Sequence, residues 1–240
     1  MKTMITGDSH AGALKKGLDI LIAQENWPTA QEMKITRIDG ANNLLVPYFV
    51  DRGDRAELIY QKYVKNLPVT AEEGHYDYYG LCAPLHASNL WRKQNYWPGF
   101  TPFADKADGD QGLIPVSTAL LKQAVFQEQA YTIQLLELLQ RVGVKLFVVE
   151  APRPFRHHKI LSKVPPETVM YIDTFYKNLI KEWLSSKDIA IIEVPKECYD
   201  EEGFMLDQFR GRSETDMLHG NEEFGVLMIH EVLKFLQSKS

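Results

Sequence analysis

The stretch Met4-Ile5-Thr6-Gly7-Asp8-Ser9-His10-Ala11-Gly12 reads as the end of a strand, a turn and the start of a helix. Residues 1–6 are short and apolar enough for a central strand. Over residues 11–24, Ala13, Leu14, Leu18, Leu21 and Ile22 recur at helical spacing, which predicts an amphipathic helix. Gly17 inside it is expected to allow close packing against a sheet. Gly7 and Gly12 bracket Asp8, Ser9 and His10, three side chains capable of hydrolytic chemistry. Two readings follow. Either Ser9 is a nucleophile on a strand-to-helix turn, or Asp8 and His10 are metal ligands and Ser9 is a bystander.

Outward from this stretch the alternation continues. Residues 34–39 are expected as a second strand, ending in the loop Asp39-Gly40-Ala41-Asn42-Asn43. Residues 45–50, broken by Pro47, suit an edge strand. Residues 54–66 are expected as a helix with Ala56, Ile59, Tyr60 and Tyr63 on one face, and residues 76–81 as a third strand. Ser117 is the expected N-cap of a helix running to about Arg141, with Leu120, Leu121, Ala124, Tyr131, Leu135, Leu138 and Leu139 facing the core. Residues 144–150 and 189–194 read as buried strands, with a helix started by Pro165-Pro166 and extending to about Ser186 between them. A last helix is expected from about Glu222 to Gln237.

This order predicts an α/β fold: a three-layer α/β/α sandwich around a mostly parallel five-stranded sheet. In such sheets ligands bind at the carboxyl ends of the strands. Ser9, Gly40, Gly80, Arg153 and the Asp216/His219 segment each follow a strand, so all should share one edge. No repeat or linker is evident, and one domain over residues 1–240 is expected, with a loop insertion at about 82–116. In that loop Trp91, Tyr96, Trp97, Phe100 and Phe103 are candidates for a substrate cleft, or equally for a cluster that pins the loop down.

The chain has 240 residues, 45% hydrophobic and 25% charged, which suits a soluble globular protein with a sizeable core. A net charge of −5 argues against a nucleic-acid partner, since phosphate binders concentrate positive charge. Cys82 and Cys198 form neither a disulfide framework nor a CxxC clip and read as reduced thiols. No stretch approaches the roughly 18 apolar residues of a membrane span. The N-terminal residues lack the apolar region of a signal peptide, so a cytoplasmic location is expected.

A serine hydroxyl needs a base within hydrogen-bond reach, and the base needs an orienting acid. Asp216-Met217-Leu218-His219-Gly220-Asn221 offers both, because Asp and His three apart can meet on one turn. The backbone N–H of Ser9, at a helix N-terminus, is a candidate oxyanion donor. Gly40 is a second, and Asn42, Asn43 or Asn89 can supply an amide, with Asn89 carried forward as the third donor.

Gly7-Asp8-Ser9 after a first strand and Asp216-x-x-His219 before a last helix resemble the first and last sequence blocks of the SGNH (GDSL-like) hydrolases. The resemblance spans nearly the whole chain in element order. It implies a flavodoxin-like sandwich and ester hydrolysis or acyl transfer without metal or other cofactor. It also implies Ser9 as nucleophile, His219 as base and Asp216 as its partner. Gly40 stands where the family's second-block glycine falls. The third block departs: the family has Gly-x-Asn-Asp, and here Gly80-Leu81-Cys82-Ala83 puts Cys82 in place of the asparagine, leaving Asn89 or His86 to replace it.

The expected substrate is a small O-acyl ester, with an acetylated carbohydrate favoured, contacted by His86, Trp91, Trp97 and Arg153. Arg153, Arg156, His157 and His158 form a basic cluster that suits an anionic substrate group or plain surface charge. Two rival readings are a hydrolase-like binding module that has lost activity and a metal-dependent phosphoesterase. The latter would use Asp8-x-His10, but its expected Gly-Asn-His-Asp/Glu element is here Gly220-Asn221-Glu222-Glu223.

Overall fold

The computed structural model describes residues 1–70, 74–92, 97, 99–106, 112–213 and 215–239. Tyr96, one of the cleft candidates, lies outside the described residues. Ten strands and five helices carry the fold among them: β1 (Lys2–Thr6), α1 (Ala11–Ala23), β2 (Glu32–Ile35), β3 (Phe49–Asp51), β4 (Ala56–Leu58), β5 (Asn66–Leu67), β6 (Tyr78–Leu81), α2 (Ser88–Arg92), β7 (Phe100–Thr101), β8 (Ile114–Pro115), α3 (Thr118–Arg141), β9 (Leu146–Val149), α4 (Pro166–Ser186), β10 (Ala190–Ile192) and α5 (Glu222–Gln237).

The central sheet has the order β10-β9-β6-β1-β2, and every pairing in it is parallel. Its strands alternate sides, as the two-residue period of a strand requires. Met4, Tyr79, Leu81 and Val148 join one core with α3 and α4, while Ile5, Tyr78, Phe147 and Val149 join the other with α1 and α5. The result is the α/β/α sandwich expected from the alternation. Strand order reverses between β1 and β6, and the crevice at such a switch point is where this class of sheet binds ligands.

Helix ends follow their caps. The Ser117 hydroxyl accepts from Leu120 N (3.2 Å) and starts α3. The Asn221 side chain accepts from Phe224 N (3.0 Å) and starts α5. Within α3, Leu121, Leu135, Leu138 and Leu139 are buried as expected, but Leu120 is 56% exposed and lines an open cavity with Trp97 and Phe100. Ile22 near the end of α1 is likewise outside the core.

Residues 54–66 are not helical. Ala56–Leu58 pairs with Phe49–Asp51 on one side and with Asn66–Leu67 on the other, in a small antiparallel sheet. Ala56 and Leu58 are buried and Glu57 is not, a strand's alternation, whereas Ile59, Tyr60 and Tyr63 of the supposed apolar face are exposed. The edge strand expected at 45–50 divides too: Ala41–Leu45 form a 3-10 turn, the backbone is extended at Val46, and strand pairing begins only at Phe49. Gly17 packs not against the sheet but against Gly225 of α5, where a side chain on either would overlap backbone.

Candidate active site

Ser9 lies between the end of β1 and the first turn of α1. The chain turns there at Gly7, whose φ of +149° is unfavourable for residues with side chains. A Cβ at Gly7 would also stand 2.7 Å from Cys82 Sγ. Asp8 then folds back on the turn: its Oδ1 accepts from His10 N (2.9 Å).

The partner segment comes from the other end of the chain. Asp216 is not on a helical turn with His219; its Oδ1 caps the backbone, accepting from Leu218 N (3.2 Å) and His219 N (3.0 Å). Burial opposes ionisation of this carboxyl, but those two N–H groups and the His219 ring outweigh it and hold its pKa below the ordinary value. His219 Nδ1 lies 2.9 and 3.0 Å from the two carboxylate oxygens of Asp216. His219 Nε2 lies 2.7 Å from Ser9 Oγ. This geometry would let the imidazole take a proton from Ser9 while Asp216 fixes its tautomer.

A pocket of about 320 Å³ opens at this point, lined by Ser9, Gly40, Ala41, Asn42, Asn43, His86, Leu218 and His219. It gathers residues from the ends of β1, β2 and β6 and from the loop before α5. Gly40 is at the pocket as expected, but its N–H already donates to Asp39 Oδ1 (2.7 Å). Cys82 is buried and does not line the pocket. Burial and the charge of Asp8 push its thiol well above its ordinary pKa. Asn89 lines a neighbouring narrow recess with Asp8, His86, Gln129 and Thr132 rather than the Ser9 pocket.

The other expected substrate residues are dispersed. Trp91 is buried and packs edge-on to His158. Trp97 donates to Leu90 O (2.8 Å) and lines an apolar cavity of about 490 Å³ with Leu45, Phe100 and Leu120. Arg153 lines a groove of about 760 Å³ with Phe103, Tyr171 and Phe175, and its guanidinium lies 3.6 Å from the buried Asp173. The rest of the basic cluster is occupied: Arg156 pairs with Asp200 and Glu202, His157 with Asp207, and His158 accepts from Ile160 N.

One constellation has no local signature in the sequence. Asp8 Oδ2 lies 2.5 Å from His86 Nδ1, and His86 Nε2 lies 3.0 Å from His10 Nε2. All three side chains are buried, and the His10 ring stands 4.8 Å from that of His219. Their nitrogen and oxygen atoms are of the types that bind metal ions and lie within 4.8 Å of one another. Here they face each other as a hydrogen-bonded chain.

In three-dimensional comparison the chain is similar to an acetyl xylan esterase at 14% identity, with a TM-score of 0.55, covering 98% of this chain and 100% of that one. It is also similar to a GDSL-like lipase from Bacteroides thetaiotaomicron VPI-5482 at 10% identity, with a TM-score of 0.52 and coverage of 100% and 89%. The fold is shared with GDSL-like hydrolases. A carbohydrate acetylesterase family member from Sinorhizobium meliloti matches similarly, at 11% identity and a TM-score of 0.51, covering 99% of this chain and 98% of that one. No protein-family model and no curated protein matches the sequence. Among the described residues no helix is long and apolar enough to cross a membrane.

Proposed function

We propose that the protein is a divergent SGNH-type serine hydrolase, an esterase or acyltransferase acting on a small O-acyl ester. One observation carries the reading: Ser9 Oγ, His219 Nε2 and the Asp216 carboxylate form an unbroken hydrogen-bonded chain, with the Ser9–His219 separation at 2.7 Å. His219 takes the Ser9 proton as Ser9 attacks the ester carbonyl. The imidazolium, stabilised by Asp216, then protonates the leaving alcohol. Water, or a second hydroxyl in a transferase, is activated by the same imidazole and releases the acyl group from Ser9.

A short acyl group suits the modest volume of the Ser9 pocket. The exposed Asn42 and Asn43 at its wall favour a polar, hydroxyl-rich alcohol such as a carbohydrate. Two proteins of similar fold, an acetyl xylan esterase and a carbohydrate acetylesterase family member, agree with that choice.

The test is hydrolysis of p-nitrophenyl acetate and of acetylated xylo-oligosaccharides by the native protein and by Ser9→Ala. The expected result is loss of at least about 10³-fold in kcat for the variant, with no effect of a chelator on the native protein. Full activity in Ser9→Ala, or abolition by chelator alone, would overturn the reading.

A further inference from the structure

We infer that His10 and His86 form a binding site for a divalent transition-metal ion of the zinc class, positioned by Asp8, and that the bound ion inhibits the reaction at Ser9. The binding is independent of the serine-hydrolase reading; the inhibition rests on it.

The two imidazoles turn their Nε2 atoms to each other at 3.0 Å, with the rings edge to face at 86°. Two ring nitrogens in hydrogen-bond contact hold one proton between them. Zinc binds imidazole nitrogen at about 2.0–2.1 Å, so two such nitrogens on one tetrahedral ion stand about 3.3 Å apart. The histidines therefore need to part by only a few tenths of an ångström for the ion to take the place of that proton, which leaves to solvent. They come from positions 76 apart and are 5% and 7% exposed, so the fold itself builds the contact.

Asp8 supplies the support that a metal-bound histidine needs. Its Oδ2 lies 2.5 Å from His86 Nδ1, and its Oδ1 accepts from His10 N at 2.9 Å. One carboxylate thus fixes the ring of one ligand and the main chain of the other. A carboxylate on the far nitrogen of a ligating histidine sets its tautomer and raises its basicity. Asp8 faces the Nδ1 side of His86 while ligation is through Nε2, so it is a positioning residue and not a ligand. Its charge, only 1% exposed, also offsets that of the ion. Among the described residues, no other group of three His, Cys, Asp or Glu side chains gathers its ligand atoms within 4.8 Å. Imidazole donors suit zinc, copper or nickel rather than magnesium or calcium, which take oxygen ligands.

His86 lines the Ser9 pocket, so water there can complete the coordination. The His10 ring stands 4.8 Å from that of His219. A doubly charged cation at this place opposes the imidazolium that His219 must become on taking the Ser9 proton.

The experiment titrates protein stripped of metal with zinc chloride, followed by calorimetry and by NMR of the histidine ring nitrogens. Native protein should take up about one ion per chain, with the Nε2 resonances of His10 and His86 both moving. Magnesium and calcium should do neither. Asp8→Asn should weaken binding about 10–100-fold although it removes no ligand. His10→Gln and His86→Gln should each weaken it further, and His219→Ala should keep it. Zinc that leaves both Nε2 resonances of the native protein unmoved overturns the site, and this result needs no variant to fold. Affinity kept in both glutamine variants, or lost in His219→Ala, overturns it too. Ester hydrolysis is measured in the same titration. At saturating zinc, kcat should fall at least about tenfold and recover on adding a chelator. If zinc binds at both histidines and kcat is unchanged, the inhibition is overturned. If Ser9→Ala hydrolyses as well as the native protein, the serine-hydrolase reading fails, and calorimetry and NMR still judge the metal site.

Discussion

Gly17 of α1 and Gly225 of α5 meet backbone to backbone, with no side chain between them. Ser9 lies just before α1 and His219 just before α5, so this contact sets the spacing at which Ser9 Oγ and His219 Nε2 meet. A Cβ on Gly225 would overlap the Ala13 carbonyl. Gly225→Ala is therefore expected to cost about 1–3 kcal/mol and to lower kcat by spreading the catalytic pair. Gly12→Ala, whose Cβ would meet nothing within 4 Å, should be neutral or stabilise by up to about 1 kcal/mol. Thermal melts and ester hydrolysis of the two variants side by side check both statements.

Asp216→Asn should leave the fold intact, because the amide oxygen can still accept from Leu218 N and His219 N. It removes the carboxylate that selects the His219 tautomer. A loss in kcat of about 10⁴-fold is expected, with an unchanged circular dichroism spectrum. A loss below tenfold would mean that Asp216 does not orient the base.

Glu150 ends the strand layer in a buried ion cluster, 3.3 Å from Lys177 and 3.2 Å from Lys181, and accepts from Val194 N. Burial raises its pKa, but the two lysines and the Val194 N–H prevail and hold it below its ordinary value of 4.5. A depressed folded pKa stabilises above the unfolded value and loses that stabilisation as pH falls through the folded one. Glu150→Gln removes the closest carboxylate from Lys177, itself only 1% exposed, which keeps Ala151 O at 2.8 Å and Asp173 at 3.9 Å, and should cost about 1–3 kcal/mol at neutral pH. The deficit should shrink once pH falls below 4.5 and on through the folded value. Urea melts of both proteins at neutral and acid pH measure this, and a deficit independent of pH would refute it.

Asn221 both caps α5 through Phe224 N and donates to Gln208 O (2.6 Å). Asn221→Ala should destabilise by about 1 kcal/mol or somewhat more through the lost cap. Because His219 lies two residues upstream, kcat should fall further than the folded fraction does. Parallel melting and kinetic measurements separate the two effects.

Legibility in the sequence followed the range of the interactions. Helices α3, α4 and α5 were readable to within a residue or so because their apolar period and their start signals at Ser117 and Pro166 are local. Residues 54–66 misled because Ala56, Ile59, Tyr60 and Tyr63 happen to sit at helical spacing, while the residues that enter the core are Ala56, Leu58 and Val64. Trp91 and Arg153, expected at the substrate, each face a different environment from Ser9.

The sequence by itself determined the alternation of strands and helices, the turn that presents Ser9, and the spacing that lets Asp216 reach His219. Each of these is written within a few neighbouring residues. Tertiary structure alone decided that Asp8 pairs with His86, across 78 positions, and that Ser9 meets His219 across 210. It also decided that Asn89 lines another recess. The reason is physical: periodicity and capping depend on local backbone geometry, whereas contacts between distant residues depend on strand order and on how closely helices pack. Here those were set by the parallel sheet and by the glycine contact between α1 and α5.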